Sequence, residues 1–183
     1  MEHCRHKRGT SNLFGRWYIC CNSFSQKKKC GIIYNNMLYI TSDHRGFQLK
    51  SEIIKYLKEQ GVEVQDLGPF GLDESDDYPD YTIRLVEKLK GDILVNKGII
   101  ICKNGVGVSM LANKFRDIRA ALSWNPDHAV SSRIDDNSNV LALPSGFIDK
   151  TTALETVRSW LKEDFSGAER HRKRLEIVNN FGQ

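Results

Sequence analysis

Residues 98–107 read Gly98-Ile99-Ile100-Ile101-Cys102-Lys103-Asn104-Gly105-Val106-Gly107. The first five positions are apolar without a break. A strand with one wet face alternates, whereas a strand apolar throughout is covered on both sides, as in a parallel sheet under helices. Two glycines then let the chain turn, and a helix is expected from there through Phe115. Buried strand, glycine turn and helix form the βα unit of a fold that carries helices on both faces of its sheet.

The same unit recurs on either side. Leu38–Thr41 is a short apolar strand running into Ser42-Asp43-His44. Residues 45–60 place Phe47, Ile53, Ile54 and Leu57 on one helical face and stop at Gly61. Val62–Leu67 alternates like a strand. An Asp- and Gly-rich loop leads to Pro79, a residue suited to a first helical turn, and Thr82, Leu85, Val86 and Leu89 follow at helical spacing. Downstream, Arg119–Ser123 reads as a strand, Asp127–Ile134 as a helix and Asn139–Leu143 as a strand. Thr151–Lys162 is an amphipathic helix, and Glu169–Asn179 a strongly basic one. The pattern predicts a three-layer α/β/α sandwich around a five-stranded parallel, Rossmann-like sheet. Ligands bind such sheets beyond the carboxyl ends of the strands, where the winding reverses. If the first strand lies between the second and third, loops 42–46 and 102–107 meet at that point.

Composition narrows the function. The 183 residues carry a net charge of +4, but Arg5, Lys7, Arg8, Arg16, Lys27, Lys28 and Lys29 face only Glu2 within residues 1–36, a surplus of +6. Residues 37–183 therefore carry −2, which argues against a nucleic-acid-binding face on the fold itself. No apolar run approaches the ~20 residues of a membrane span. Four of the five cysteines (Cys4, Cys20, Cys21, Cys30) lie in the same first 36 residues, leaving Cys102 alone in the body. A disulfide-built secreted domain spreads its cysteines through the fold, so the body reads as cytoplasmic with a free thiol. Residues 1–36 are compatible with a targeting segment, with metal binding through His3, Cys4 and His6, or with a basic disordered extension. The last is the expectation, with the domain spanning 37–183.

Three clusters carry chemistry. Cys102 ends a buried strand ahead of a glycine turn whose amides can converge on a phosphate or a developing oxyanion. Such a setting can also lower a thiol pKa; the alternative is a buried structural cysteine. The turn lacks the third glycine of a dinucleotide fingerprint and the Gly-Lys-Ser/Thr of a P-loop. Asp43 and His44 follow the first strand, either as a helix cap and a surface histidine or as groups handling hydroxyls and phosphate. Arg170, His171, Arg172, Lys173 and Arg174 crowd a helix start, where cations oppose the helix dipole. Arg170 and Arg174 share a face, which suits a two-arginine grip on a phosphate.

Six segments taken in order carry a resemblance: Ser42-Asp43-His44-Arg45-Gly46-Phe47; Asp77-Tyr78-Pro79-Asp80-Tyr81; Ile101-Cys102-x-Asn104-Gly105-Val106-Gly107 with Ala112-Asn113-Lys114; Ile118-Arg119-Ala120-Ala121; Asn137-x-Asn139-Val140-Leu141; and Phe165-Ser166-Gly167 before Arg170-His171. The set, spanning 37–180, resembles the ribose-5-phosphate isomerase B and galactose-6-phosphate isomerase family. The resemblance implies an aldose–ketose isomerase of sugar phosphates using no metal and no cofactor. It also implies a homodimer or dimer of dimers with sites at the subunit interface. By position, Cys102 is the base moving a proton between C1 and C2, and Lys103, Asn104, Gly105, Val106 and Gly107 hold the enediolate oxygen. Asp43 meets hydroxyls, His44 the phosphate end, Tyr78 the site wall, and Arg170 and Arg174 the phosphate.

Three departures from the family pattern, at four positions, stand out. Asp135 and Asp136 stand where the family has His-Asn, the His opening the sugar ring. Gly146 replaces a phosphate-binding Arg, and Lys103 replaces a Gly. Asp135 then inherits ring opening, with His128, seven residues earlier, as a second candidate, and Lys103 supplies the charge missing at Gly146. Ribose 5-phosphate to ribulose 5-phosphate is the expected reaction. The alternatives are another pentose or hexose phosphate, or a non-catalytic sugar-phosphate-binding homologue.

Overall fold

The structure, a computed structural model, describes residues 37–181, so the reading of residues 1–36 falls outside the described residues. In chain order the elements are β1 (Leu38–Ser42), α1 (Phe47–Glu59), β2 (Val64–Asp66), α2 (Tyr78–Leu89), β3 (Lys97–Cys102), α3 (Val106–Ala112), β4 (Ala120–Leu122), α4 (Pro126–Ile134), β5 (Val140–Pro144), α5 (Lys150–Lys162) and α6 (Glu169–Asn180). All strand pairs are parallel. The strand order β2-β1-β3-β5-β4 puts β1 between β2 and β3, so the winding reverses between β1 and β3 as the sequence implies.

Successive strand residues face opposite ways, and β3 shows the consequence. Ile100 and Cys102 pack with Leu85, Val86, Val108 and Ala112 from α2 and α3. Ile99 and Ile101 pack on the other face with Ile53, Leu57, Val157 and Trp160 from α1 and α5. Ile99, Ile100 and Ile101 are wholly buried, which is why this strand carries no polar residue after Lys97. Edge strands β2 and β4 are three residues each and only partly buried.

Two polar side chains tie loops to this frame. The Asn113 amide donates to Ala120 O and accepts from Ala120 N–H, fixing β4 beside α3. Asn139 accepts the Arg119 N–H and donates to Asp117 O, joining the starts of β4 and β5. Among the described residues, no helix is long and apolar enough to cross a membrane.

Candidate active site

The carboxyl ends of β1 and β3 bring two loops together. Gly46, just before α1, lies so close to β3 that a Cβ there would sit 2.6 Å from Ile101 O; only glycine lets the loop after β1 pass at that distance. Asp43 N–H bonds to Ile101 O at 3.2 Å, and Asp43 Oδ1 accepts the Gly46 N–H at 2.9 Å. Asp43 is thus both a turn-closing residue and a neighbour of Cys102. Its side chain is buried, and burial pushes its carboxyl above the usual range against the pull of the Gly46 N–H and the His44 charge.

The glycine turn closes on the thiol. Gly105 has φ +71°, and a Cβ there would fall 2.3 Å from the Leu122 side chain. Its N–H donates to Cys102 Sγ at 3.1 Å, while Val106 N–H donates to Asn104 Oδ1 at 3.0 Å. α3 therefore starts at Val106, one residue earlier than the sequence suggests. The expected lowering of the thiol pKa is not what results. Burial pushes Cys102 up, and the backbone N–H groups of Gly105, Asn104 and Val108 offset this only in part, with the Asp43 charge adding to the rise. At 4% exposure, loss of water around the sulfur outweighs the amides that face it. The free protein holds a thiol at neutral pH, and ionisation is left to the substrate complex or to higher pH.

Tyr78 opens α2 beside this turn, its ring Cζ lying 2.8 Å from where a Cβ of Gly107 would be. Lys103 is exposed and touches Gly146: Gly146 N–H donates to Lys103 O at 2.8 Å, and a Cβ at Gly146 would lie 3.2 Å from Lys103 Cγ. Two of the departures from the family pattern, Lys103 and Gly146, are thus physical neighbours at the same edge.

Asp135, Asp136, Arg170 and Arg174 lie elsewhere. β4 and β5 are parallel, so α4 must run back between them, and Asp135 at its end sits at the amino edge of the sheet. Cys102 pairs in register with Pro144, and Gly98 with Val140. Four residues of strand, roughly 13 Å, therefore separate the two edges. α6 begins at the amino edge too: Ser166 N–H bonds to Ile134 O, and His171 Nδ1 lies 3.2 Å from Asp135 Oδ1. His171 is buried, unlike the other members of its cationic turn, and its Nε2 accepts from Arg170 Nε. Asp136 lines a cavity of about 300 Å³ with Arg119, Leu175 and Val178. Within one chain, then, Asp43, His44, Tyr78 and residues 103–107 gather around Cys102, whereas Asp135, Asp136, Arg170 and Arg174 form a second group that does not reach it. His128 and Asp135 lie apart on α4. His128 lies in the first turn of α4, about two turns from Asp135, roughly 10 Å, bonded to Ser123 Oγ and stacked on Trp124.

Two supporting residues escaped the sequence reading, and a third, His171, was named there without its role. Lys50 is 1% exposed, its amine bound by Asp66 Oδ1 at 2.7 Å and Pro69 O at 2.6 Å. It braces the segment whose Gly68 O holds the end of β1 through Thr41 and Ser42. Its place on the apolar stripe, three residues before Ile53, was the available signal. Asp76 bonds His44 and has no local sequence signature; His171 is buried facing Asp135, a burial that its cationic neighbours do not announce.

A family model described as ribose/galactose isomerase matches residues 38–178. The chain belongs to the ribose/galactose isomerase family. It is an aldose–ketose isomerase, with the five-stranded parallel sheet seen in solved members. Among relatives, a probable ribose-5-phosphate isomerase B of Mycoplasma pneumoniae is 43% identical over 77% of this chain and 91% of its own length. Ribose-5-phosphate isomerase B of Escherichia coli is 40% identical over 77% of this chain and 93% of its own. The crystal structure of ribose-5-phosphate isomerase B from Mycoplasma genitalium with bound ribulose-5-phosphate superposes with a TM-score of 0.76. It is 39% identical and covers 78% of this chain and 93% of that one.

Proposed function

We propose that this isomerase interconverts ribose 5-phosphate and ribulose 5-phosphate in a cytoplasmic homodimer, each site built from two copies of the chain. Cys102, at the carboxyl end of β3 with the Gly105 N–H directed at its sulfur, carries this reading. As thiolate, Cys102 takes the proton from C2 of the open aldose. The C–H electron pair forms the C1=C2 bond while the C1=O π pair moves onto O1; the O2 hydroxyl proton then passes to O1, and the thiol returns its proton to C1 as the O2 lone pair forms C2=O. Nothing is oxidised overall, so no redox partner is needed. The turn 103–107 faces the developing oxygen, and Gly107 N–H has no acceptor within α3. Asp43 holds hydroxyls, and His44 with Lys103 meets the phosphate end.

The second copy supplies what the first keeps at its far edge: Arg170 and Arg174 for the phosphate, Asp135 for ring opening and Asp136 for hydroxyls. Two apolar surfaces support the pairing. Val106, Met110 and Phe147 are exposed near the carboxyl edge, and Ile177, Val178 and Phe181 on and after α6. Large exposed apolar patches of this kind mark interfaces. The test is ketose formation from a panel of aldose 5- and 6-phosphates. Ribose 5-phosphate should be the best substrate; turnover confined to another sugar phosphate would sink the assignment, and none at all would favour a binding homologue.

Residues 37–183 are proposed as the whole catalytic domain. Met37 is already tied in, its N–H bonded to Asn96 Oδ1 and its carbonyl to Lys97 N–H. A chain beginning at Met37 is expected to unfold cooperatively and to keep the turnover of the full chain, as measured by thermal melting and steady-state assay.

Asp135 is expected to limit the use of cyclic sugar. An imidazole, with a reference pKa of ~6.5, is matched to proton donation at neutral pH in a way that carboxylic acids as a class are not. Asp135→His should raise turnover of cyclic ribose 5-phosphate at pH 7 several-fold, and help an open-chain substrate much less. Loss of turnover in this variant would mean that Asp135, steered by His171, has an adapted role of its own.

A further inference from the structure

Asp76 lies outside every motif, in the loop between β2 and α2, yet it grips a residue of the site from 32 positions away. Its Oδ1 accepts the backbone N–H of His44 at 2.9 Å and lies 2.7 Å from His44 Nδ1. The Asp76 side chain is 6% exposed and the His44 side chain 22%. Asp76 Oδ2 is buried with no hydrogen-bond partner. The loop that presents it is itself fixed, with Asp73 Oδ1 accepting from both the N–H and the hydroxyl of Ser75. Two residues after Asp76, Tyr78 packs on the glycine turn. One short segment thus holds the imidazole of the first site loop and the wall of the second.

The backbone bond alone would close the turn at His44. The ring bond has no such necessity, because a partly exposed imidazole can bond to water. A carboxylate at Nδ1 keeps a proton on that nitrogen, whichever charge the ring carries, and leaves Nε2 as the free face. We propose that Asp76 is a positioning residue for His44, holding the Nδ1–H form and the ring plane so that Nε2 alone meets the phosphate end of the substrate. The proposal rests on the assignment of His44 to the substrate made above.

The groups around the ring are Asp43 on its own loop and Asp73 and Asp76 on the facing loop; on α2, Tyr81 lies beside Asp76 with Arg84 over its ring. Burial, and after it the Asp76 charge, push the Tyr81 phenol up, so Tyr81 stays neutral at working pH. His44 therefore sits among acids, and without a fixed proton on Nδ1 either nitrogen could turn towards them.

Asp76→Asn tests this with little change of shape. In the free protein, above the pH where His44 loses its charge, the ring ¹⁵N shifts should report Nδ1–H in the wild type and a shift towards Nε2–H in Asp76→Asn. The variant should raise KM for ribose 5-phosphate about tenfold with a smaller change in kcat, and Asp76→Glu should recover part of the loss. Wild-type tautomer shifts in Asp76→Asn would overturn the proposal whatever the kinetics show. If the tautomer moves but KM does not, the proposal also fails, and His44→Gln says why. A raised KM there leaves His44 a substrate contact and removes only Asp76 from the account; an unchanged KM removes His44 as well.

Discussion

Cys102→Ala is expected to lower kcat roughly 10²- to 10⁴-fold, the usual contribution of a positioned base, while KM changes little. Alanine fits where the thiol sits, between Ile101 and the glycine turn, so the thermal midpoint should move only modestly. A variant with near-normal turnover would make the thiol structural and the mechanism wrong. The direction of the thiol's shift adds a pH signature. Because burial holds Cys102 as a thiol, kcat/KM should climb with pH on an alkaline limb, and Cys102→Ala should abolish that limb. The same shift bears on stability. The unfolded thiol gives up its proton at lower pH than the folded one, so the native state binds more protons across that interval. Cys102 therefore contributes stability that is fully present below the ordinary thiol range and is lost as pH rises from there through the raised folded value.

Removing both Arg170 and Arg174 is the second large effect expected. Each hydrogen bond from a guanidinium to a phosphate oxygen is worth about 1.5–3 kcal/mol, or roughly ten- to a hundredfold in binding. The double alanine variant should therefore raise KM for the sugar phosphate by at least about a hundredfold. Free ribose, which lacks the phosphate, should be handled no worse than before. Both side chains are exposed, and the only described bond lost is the one from Arg170 Nε to His171 Nε2. The melting curve should stay cooperative. An unchanged KM would reduce the cationic turn to a solvated surface.

Much of this architecture could be read from local pattern. The unbroken run Gly98–Cys102 could only be a strand covered on both faces, and the stripes at 82, 85, 86 and 89 and at 154, 157 and 161 could only be helices packed on one. Edges moved by a residue or two, as at α3, because Gly105 takes the left-handed turn and frees Val106 to start the helix. Ordered motifs mixed chemistry with carpentry: Asn113 and Asn139 hold strand ends rather than substrate. What stayed hidden depends on distance through space. The direction of the Cys102 shift follows from how completely the sulfur is enclosed, which a glycine turn in one dimension does not disclose. The contact of Lys103 with Gly146 joins segments 43 residues apart, and Asp76 reaches His44 across 32. Lys50 looked like one more helix lysine until its amine was found closed in by Asp66 and Pro69.

The separation of the two groups across the sheet has a consequence for dosage. If each site is shared between two copies, as proposed, a lone chain owns two half-sites and no whole one, and the competent species is the pair. When the chain is scarce relative to the dissociation constant of the pair, the amount of competent enzyme grows with the square of its concentration. Halving expression in that regime would remove about three quarters of the flux. Above it, flux simply tracks abundance.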